Sequence, residues 1–339
     1  MAENGRVNGH RPRGLPHLLS PVLRKASAPK PEDLPFDLDE ALKAVVGLAA
    51  EIPDDAFTAP FLGTEREGNG VVIDDNGLVL TIGYLITEAM EVTLSLADGG
   101  KLSAEPVGYD YDSGFGLVRA VAPIDVTPLP LGESAKLKEG EPVIVAGYGG
   151  REQAVGGKVL SLREFAGYWE YMLDTAVFTT PPHPNWGGTA VIGHDGTLCA
   201  IGSLYVEEAA VGKAQTPGNM SVPIDLLKPI FSDLITFGRG RAAPRPWLGL
   251  FTAEAMGHLF VAGVAPTGPA DFSGLQSGDV IVSLNGMNIE NMADLYRKLW
   301  AIGPAGVTVH ITVLRGGDAI DMPIRTANRY DFLKSPTEH

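Results

Sequence analysis

Apolar residues change their spacing several times along the chain, and each change marks a different kind of element. Between residues 36 and 51, FDLDEALKAVVGLAAE places Leu42, Val45, Val46 and Ala49 at the helical period, with Asp37 or Asp39 positioned to cap. A helix is expected there. From about residue 57 the pattern shortens to apolar runs of roughly five or six residues, the length of ordinary strands. The runs are GVVIDDNGLVLTIGYLI, EVTLSLADGGKLSAEPVGY, GLVRAV, EPVIVAGYGG, GGKVLSLREF, YWEYMLDTAV and TAVIGHDGTLCAIGSLYV. DNG at 75–77, ADGG at 97–100 and HDG at 194–196 sit between apolar runs and read as hairpin turns. Many short antiparallel strands without helices predict a β-barrel or sandwich from about 57 to 225. IDLLKPIFSDLITF, residues 224–237, reads as a closing helix.

A small, basic, Pro-rich linker follows, GRGRAAPRP at 238–246. Beyond it the pattern becomes α+β. WLGLFT and LFVAGV read as strands, and GPADFSGLQSGDVIVSLNG as a short helix and a strand among turns. NMADLYRKLWAI is an amphipathic helix with Met292, Leu295, Leu299 and Ile302 on one face. VTVHITVLRGGDAIDMPIR is a strand hairpin turning at Gly316-Gly317.

Composition narrows the class. The 339 residues, 45% hydrophobic and 20% charged, fit an ordinary globular protein of two or three domains. The single cysteine, Cys199, excludes an intrachain disulfide, and its place in LCAIG marks it as a small core hydrophobe. The net charge of −15 is uneven: residues 1–30 hold six basic groups and one acid, leaving +5 there and −20 on the rest. An acidic body argues against nucleic acid as a partner. The basic head, residues 1–35, is expected to be a disordered tail. LPHLLSPVL at 15–23 is too short and too broken by Pro16, His17 and Pro21 for a secretory signal, and no apolar run is long enough to span a membrane. The expected location is cytoplasmic. No cofactor is expected, and the histidines show no metal-ligand spacing.

The C-terminal phrases WLGL, the Gly274-Leu-Gln-Ser-Gly-Asp-Val-Ile step, LNGMNI and NMADLYRKL together resemble a PDZ domain of the bacterial protease-associated kind, over 246–327. Such a domain adds an extended peptide as a strand between a sheet edge and a helix. The resemblance implies a carboxylate-binding loop at Trp247, Leu248, Gly249 and Leu250, with Leu250, Leu295 and Leu299 flanking the pocket for the last peptide residue. The same leucines also suit a plain core.

Upstream, EREGNGVVIDDNGLVLTIGYLITEAMEVTLSLADGGKLSAEPVGYD resembles the first barrel of an HtrA-type (Do-like) trypsin-fold serine protease. LKEGEPVIVAGYGG, GGKVLSL, LDTAVFTTPPHPNWGGTAVIGHDGTLCAIGSL and SVPIDLL resemble the second. The implied fold is mainly β: a trypsin-like double six-stranded β-barrel over 36–237, a linker at 238–245, the PDZ domain at 246–327 and a tail at 328–339. The family's triad runs His, Asp, Ser along the chain. The His phrase here is LTIGYLI, with Tyr84 at that position; the Asp phrase is GYDYDSGFGLVRA, with Gly114; the Ser phrase is PNWGGTA, with Trp186. Asn185, Gly187 and Gly188 are the remnants of the oxyanion loop.

An indole offers no nucleophile, a phenol with a pKa near 10 is a poor base, and glycine cannot orient an imidazole. The chain is therefore expected to be a pseudoprotease. It would serve as a peptide- or protein-binding scaffold or a chaperone-like factor in protein quality control, taking peptide C-termini. The resemblance also implies a homo-oligomer, a trimer. The alternative is a serine endopeptidase with a relocated centre, drawing on His183, Asp110 or Asp112, and Ser161, Ser203 or Cys199.

Overall fold

A computed structural model describes residues 28–210 and 216–334. The basic head up to residue 27, the 15–23 stretch and the last five residues lie outside the described part. The described residues fall into two compact units: 28–163, 175–210, 216–241 and 334 form one, and 164–174 with 242–333 form the other.

The first unit contains two closed barrels. The first barrel has β1 (Val45–Glu51), β2 (Glu65–Val72), β3 (Leu78–Ile82), β4 (Glu91–Ser95), β5 (Lys101–Tyr109) and β6 (Phe115–Ala120). They close in the order β1-β2-β3-β6-β5-β4. The second barrel has β7 (Pro142–Ala146), β8 (Ala154–Gly167), β9 (Tyr171–Thr180), β10 (Ala190–Ile192), β11 (Leu198–Val206) and β12 (Gly218–Pro223), in the order β10-β11-β12-β9-β8-β7. Closure removes every free sheet edge, so each strand can bury its inward row. The DNG, ADGG and HDG turns fall between β2 and β3, β4 and β5, and β10 and β11. In each, an Asp carboxylate accepts backbone N–H bonds of the turn: Asp74 from Asn76 and Leu78, Asp98 from Gly100, Asp195 from Thr197.

The expected helix over 36–51 is corrected. Only Leu38–Lys43 is helical, capped by the Asp37 carboxylate, which accepts from Asp39 N (3.0 Å) and Glu40 N (3.2 Å). Val45–Glu51 is β1, paired with β2 from Val45↔Val71 to Glu51↔Glu65 and with β4 from Gly47↔Ser95 to Glu51↔Glu91. Without β1 the first barrel would have two open edges, so tertiary pairing overrides a short helical period carried partly by β-branched residues. The closing helix is also shorter than expected: a 3-10 turn at Ile224–Leu226 precedes the helix Phe231–Phe237, with Pro229 in the interruption. Cys199 is buried in the second barrel's core beside Val143, Val145, Val159 and Val191.

In the second unit, β13 (Leu250–Ala255), β14 (His258–Val264), β15 (Val280–Leu284), β17 (Thr308–Arg315) and β18 (Asp318–Arg325) form a sheet in that order, with β16 (Met287–Asn288) paired to β15. β13 lies at an edge of it. The helix Met292–Ala301 is capped by Asn291, whose side chain accepts from Asp294 N (2.9 Å). Its inward residues Leu295, Tyr296 and Leu299 have no exposed surface. No helix among the described residues is long and apolar enough to cross a membrane.

Candidate functional site

The three positions that the resemblance assigns to the triad meet through short contacts. Tyr84 lies on the 3-10 turn Gly83–Leu85 that follows β3. Gly83 N donates to Gly114 O at 2.7 Å, which joins this turn to the loop before β6. The Tyr84 hydroxyl donates to Ser203 O at 2.8 Å on β11. The next residue back, Gly202, lies against Trp186: a Cβ there would come within 2.4 Å of Trp186 O.

Each position has a settled structural role. Trp186 is fully buried, its ring 5.8 Å from that of Tyr205, and its carbonyl accepts from the Thr189 hydroxyl at 3.0 Å. Burial pushes the Tyr84 phenol pKa well above its ordinary value. Gly114 has φ +87°, in the left-handed region where a Cβ brings strain. Arg66 on β2, 1% exposed, holds the Tyr84 turn by donating to Tyr84 O (2.8 Å) and Thr87 O (2.9 Å). Desolvation pulls its pKa down to about 10.

The loop around Trp186 is clamped from the first barrel by Asn69 of β2. Asn69 Nδ2 donates to Asn185 O and Gly187 O, both at 2.9 Å, and Asn69 N donates to Gly187 O at 2.8 Å. Asn69 Oδ1 in turn accepts from Tyr148 N (2.8 Å). The fit depends on Gly188, at φ +77°, where a Cβ would fall 1.8 Å from Asn69 O.

Two N–H groups of this loop are engaged within the protein. Gly188 N donates to Gly202 O (2.8 Å), and Asn185 N donates to His183 Nδ1 (3.1 Å). In the trypsin-type template the oxyanion is held by the N–H groups of the nucleophile and of the residue two before it. The latter position here is Pro184, which has no N–H. It stood in PNWGGTA, but a missing donor leaves no pattern to read.

His183 is fully buried, and both ring nitrogens serve the backbone: Nδ1 accepts from Asn185 N, and Nε2 faces Gln153 O at 3.1 Å. That pairing fixes a neutral ring with the proton on Nε2, and burial pushes the pKa down to about 4. The Ser161 hydroxyl donates to Ala209 O at 2.7 Å, and burial raises the Cys199 thiol pKa.

A second set of groups lies in the α+β unit. Trp247 pairs with Ala327 through two backbone bonds of 3.0 Å, and its ring packs on Phe332 with centroids 4.8 Å apart. Gly249, at φ +78°, sits between Leu248 and Leu250. Leu248 N donates to the Glu170 carboxylate at 3.0 and 3.2 Å, and Leu250 N at 2.8 Å; the Gly249 N–H also faces it. Burial pushes the Glu170 pKa up to about 7, against the lowering effect of these bonds. Leu248, Leu250, Leu295 and Leu299 are all buried in one core cluster, against which Ala166 and Met172 also pack.

Two family models match: the trypsin-like peptidase domain at residues 68–201 and the PDZ domain at 246–326. "Protease Do-like 1, chloroplastic" from Arabidopsis thaliana is 30% identical over 290 residues, 78% of this chain and 64% of that protein. A probable periplasmic serine protease do/HhoA-like from Haemophilus influenzae is 28% identical over 80% of this chain and 60% of its own length. This chain thus spans less than two thirds of both relatives. Among solved structures, a substituted form of the HtrA-type protease AlgW with tripeptide gives a TM-score of 0.52 at 19% identity, covering 89% of this chain and 98% of that one. Closed double barrels followed by an edge-stranded α+β unit define a trypsin-like peptidase domain joined to a PDZ domain. The chain therefore carries a trypsin-like peptidase domain and a PDZ domain, and it is similar over most of its length to HtrA-type (Do-like) proteins.

Proposed function

We propose that the double-barrel domain does not hydrolyse peptide bonds, and that the chain acts as a peptide- or protein-binding scaffold or chaperone-like factor through its PDZ domain. The observation carrying this reading is Trp186, fully buried where the nucleophile would stand. Acyl transfer requires an oxygen or sulfur nucleophile and a base that can take its proton near neutral pH. Tyr84 supplies a raised-pKa phenol already donating to Ser203 O. Gly114 supplies no side chain, and Pro184 no N–H for the oxyanion.

The relatives' names favour a serine endopeptidase as the rival reading. It needs a Ser or Cys presented to a histidine base. His183, the nearest candidate along the chain, spends both ring nitrogens on backbone groups. The partners on our reading are protein or peptide C-termini, and the assembly is a homo-oligomer, a trimer. The test is an assay for casein hydrolysis by the purified chain. No turnover is expected, and turnover that a serine-directed phosphonate abolishes would refute the reading.

A further inference from the structure

We infer that the PDZ groove of this chain is occupied by a segment of the same chain, the hairpin tip Glu164–Asp174, with the Glu170 carboxylate standing in for a peptide's terminal carboxylate; a client C-terminus must displace it to bind. The inference deepens the proposed function and rests on its reading of Trp247–Leu250 as a carboxylate loop.

The tip joins β8 to β9 and makes both a carboxylate contact and a main-chain bond of the strand-addition kind. Glu170 reaches the N–H groups of Leu248 and Leu250. Two residues back, Tyr168 O accepts from Thr252 N at 2.9 Å on the edge strand β13. Tip numbers fall from 170 to 168 as strand numbers rise from 250 to 252, so the segment lies antiparallel to β13 with its carboxylate at the loop. On the helix side, the Tyr296 hydroxyl donates to Gly167 O (2.8 Å) and accepts from Glu170 N (3.1 Å). Arg297 pairs with Glu164, and Arg329 donates to Trp169 O (3.2 Å). Main chain and carboxylate are thus held between a sheet edge and a helix, as a bound peptide is held.

Two further features belong to this docking. Glu170 has φ +57°, a conformation unfavourable for a non-glycine residue that persists where surrounding contacts impose it. The turn also carries Tyr168 and Trp169, in place of the Gly, Asn and Asp of the other hairpins; Trp169 meets Tyr168 edge-on and stacks on Tyr171 at the start of β9. A hairpin tip that only had to turn in water would need neither.

A protein whose binding-competent state is sparsely populated shows an affinity lowered by that fraction. The experiment uses the full chain, wild type, Glu170→Ala and Glu170→Gln. Amide exchange at Leu248 and Leu250 is measured in each, together with binding of a pool of fluorescent decapeptides ending in Ala, Val, Leu, Ile or Phe. Each peptide is made with a free and with an amidated C-terminus. Faster exchange at both amides in Glu170→Ala, and free-acid peptides bound at least about tenfold more tightly than by wild type, are expected. Glu170→Gln keeps the size and one acceptor oxygen and should fall between, which separates lost docking from lost folding.

Unchanged exchange in both variants, or equal peptide affinity in wild type and Glu170→Ala, overturns the inference while leaving peptide binding intact. Faster exchange without binding of any free-acid peptide upholds the internal docking and refutes the peptide-binding reading instead.

Discussion

Trp186 and His183 lie three residues apart, and each is buried in a structural role. Trp186→Ser restores a hydroxyl but neither base, orienter nor the missing N–H at Pro184. It is expected to show no casein turnover and to lose roughly 3–5 kcal/mol of stability from the emptied indole site, read by denaturant titration. Measurable turnover in that single variant would reveal a hidden base. His183 carries a stability effect whose sign follows from its depressed pKa. Between about 6.5, its ordinary value, and about 4, the unfolded chain binds a proton that the folded chain does not. The stabilisation is present above pH 6.5 and lost as pH falls towards 4, by about 3 kcal/mol. Denaturant titrations of wild type and His183→Gln from pH 7 to 4 should lose that gap; parallel pH profiles would contradict it. The assignment of Tyr84, Gly114 and Trp186 to the triad positions rests on sequence phrases whose flanks match the family pattern. Asn69, Glu170 and Tyr296 had no such phrase. Their partners lie 116 residues away for Asn69 and Asn185, 78 for Glu170 and Leu248, and 126 for Glu170 and Tyr296.

At the scale of elements, turns were the most legible part of the chain. An Asp side chain that can bond its own turn is a local cause, and the DNG, ADGG and HDG hairpins all formed where expected. β1 departs from its local pattern because Leu42, Val45, Val46 and Ala49 satisfy a helical period, while the strands that claim β1 lie elsewhere in the sequence. The YWEYMLDTAV run is expected to be strand from Tyr168, whereas β9 starts at Tyr171 and Tyr168–Glu170 form the turn. Tyr296 is the element-level tether, since one hydroxyl serves both Gly167 O and Glu170 N. Tyr296→Phe leaves both groups without that partner and should weaken docking of the tip by about 1–3 kcal/mol. Faster amide exchange at Glu170 in the full chain is the expected readout, and wild-type exchange would show that the tip is held by other contacts.

For the whole molecule, fold and chemistry part company. The barrels close, the loop around Trp186 is clamped by Asn69, and the turn bearing Tyr84 is held by Arg66. The scaffold of a trypsin-like domain is maintained by contacts that do not depend on a triad, and on the proposed reading it therefore tolerates Tyr84, Gly114 and Trp186 at the triad positions. The PDZ unit has its edge strand and helix, and the proposed peptide-binding role falls there. The most direct measurement is casein hydrolysis by the purified full chain, followed over many hours beside a phosphonate-treated sample. The account expects the two traces to coincide at the rate of casein alone. Hydrolysis above that rate, removed by the phosphonate together with covalent labelling of a serine, would contradict it.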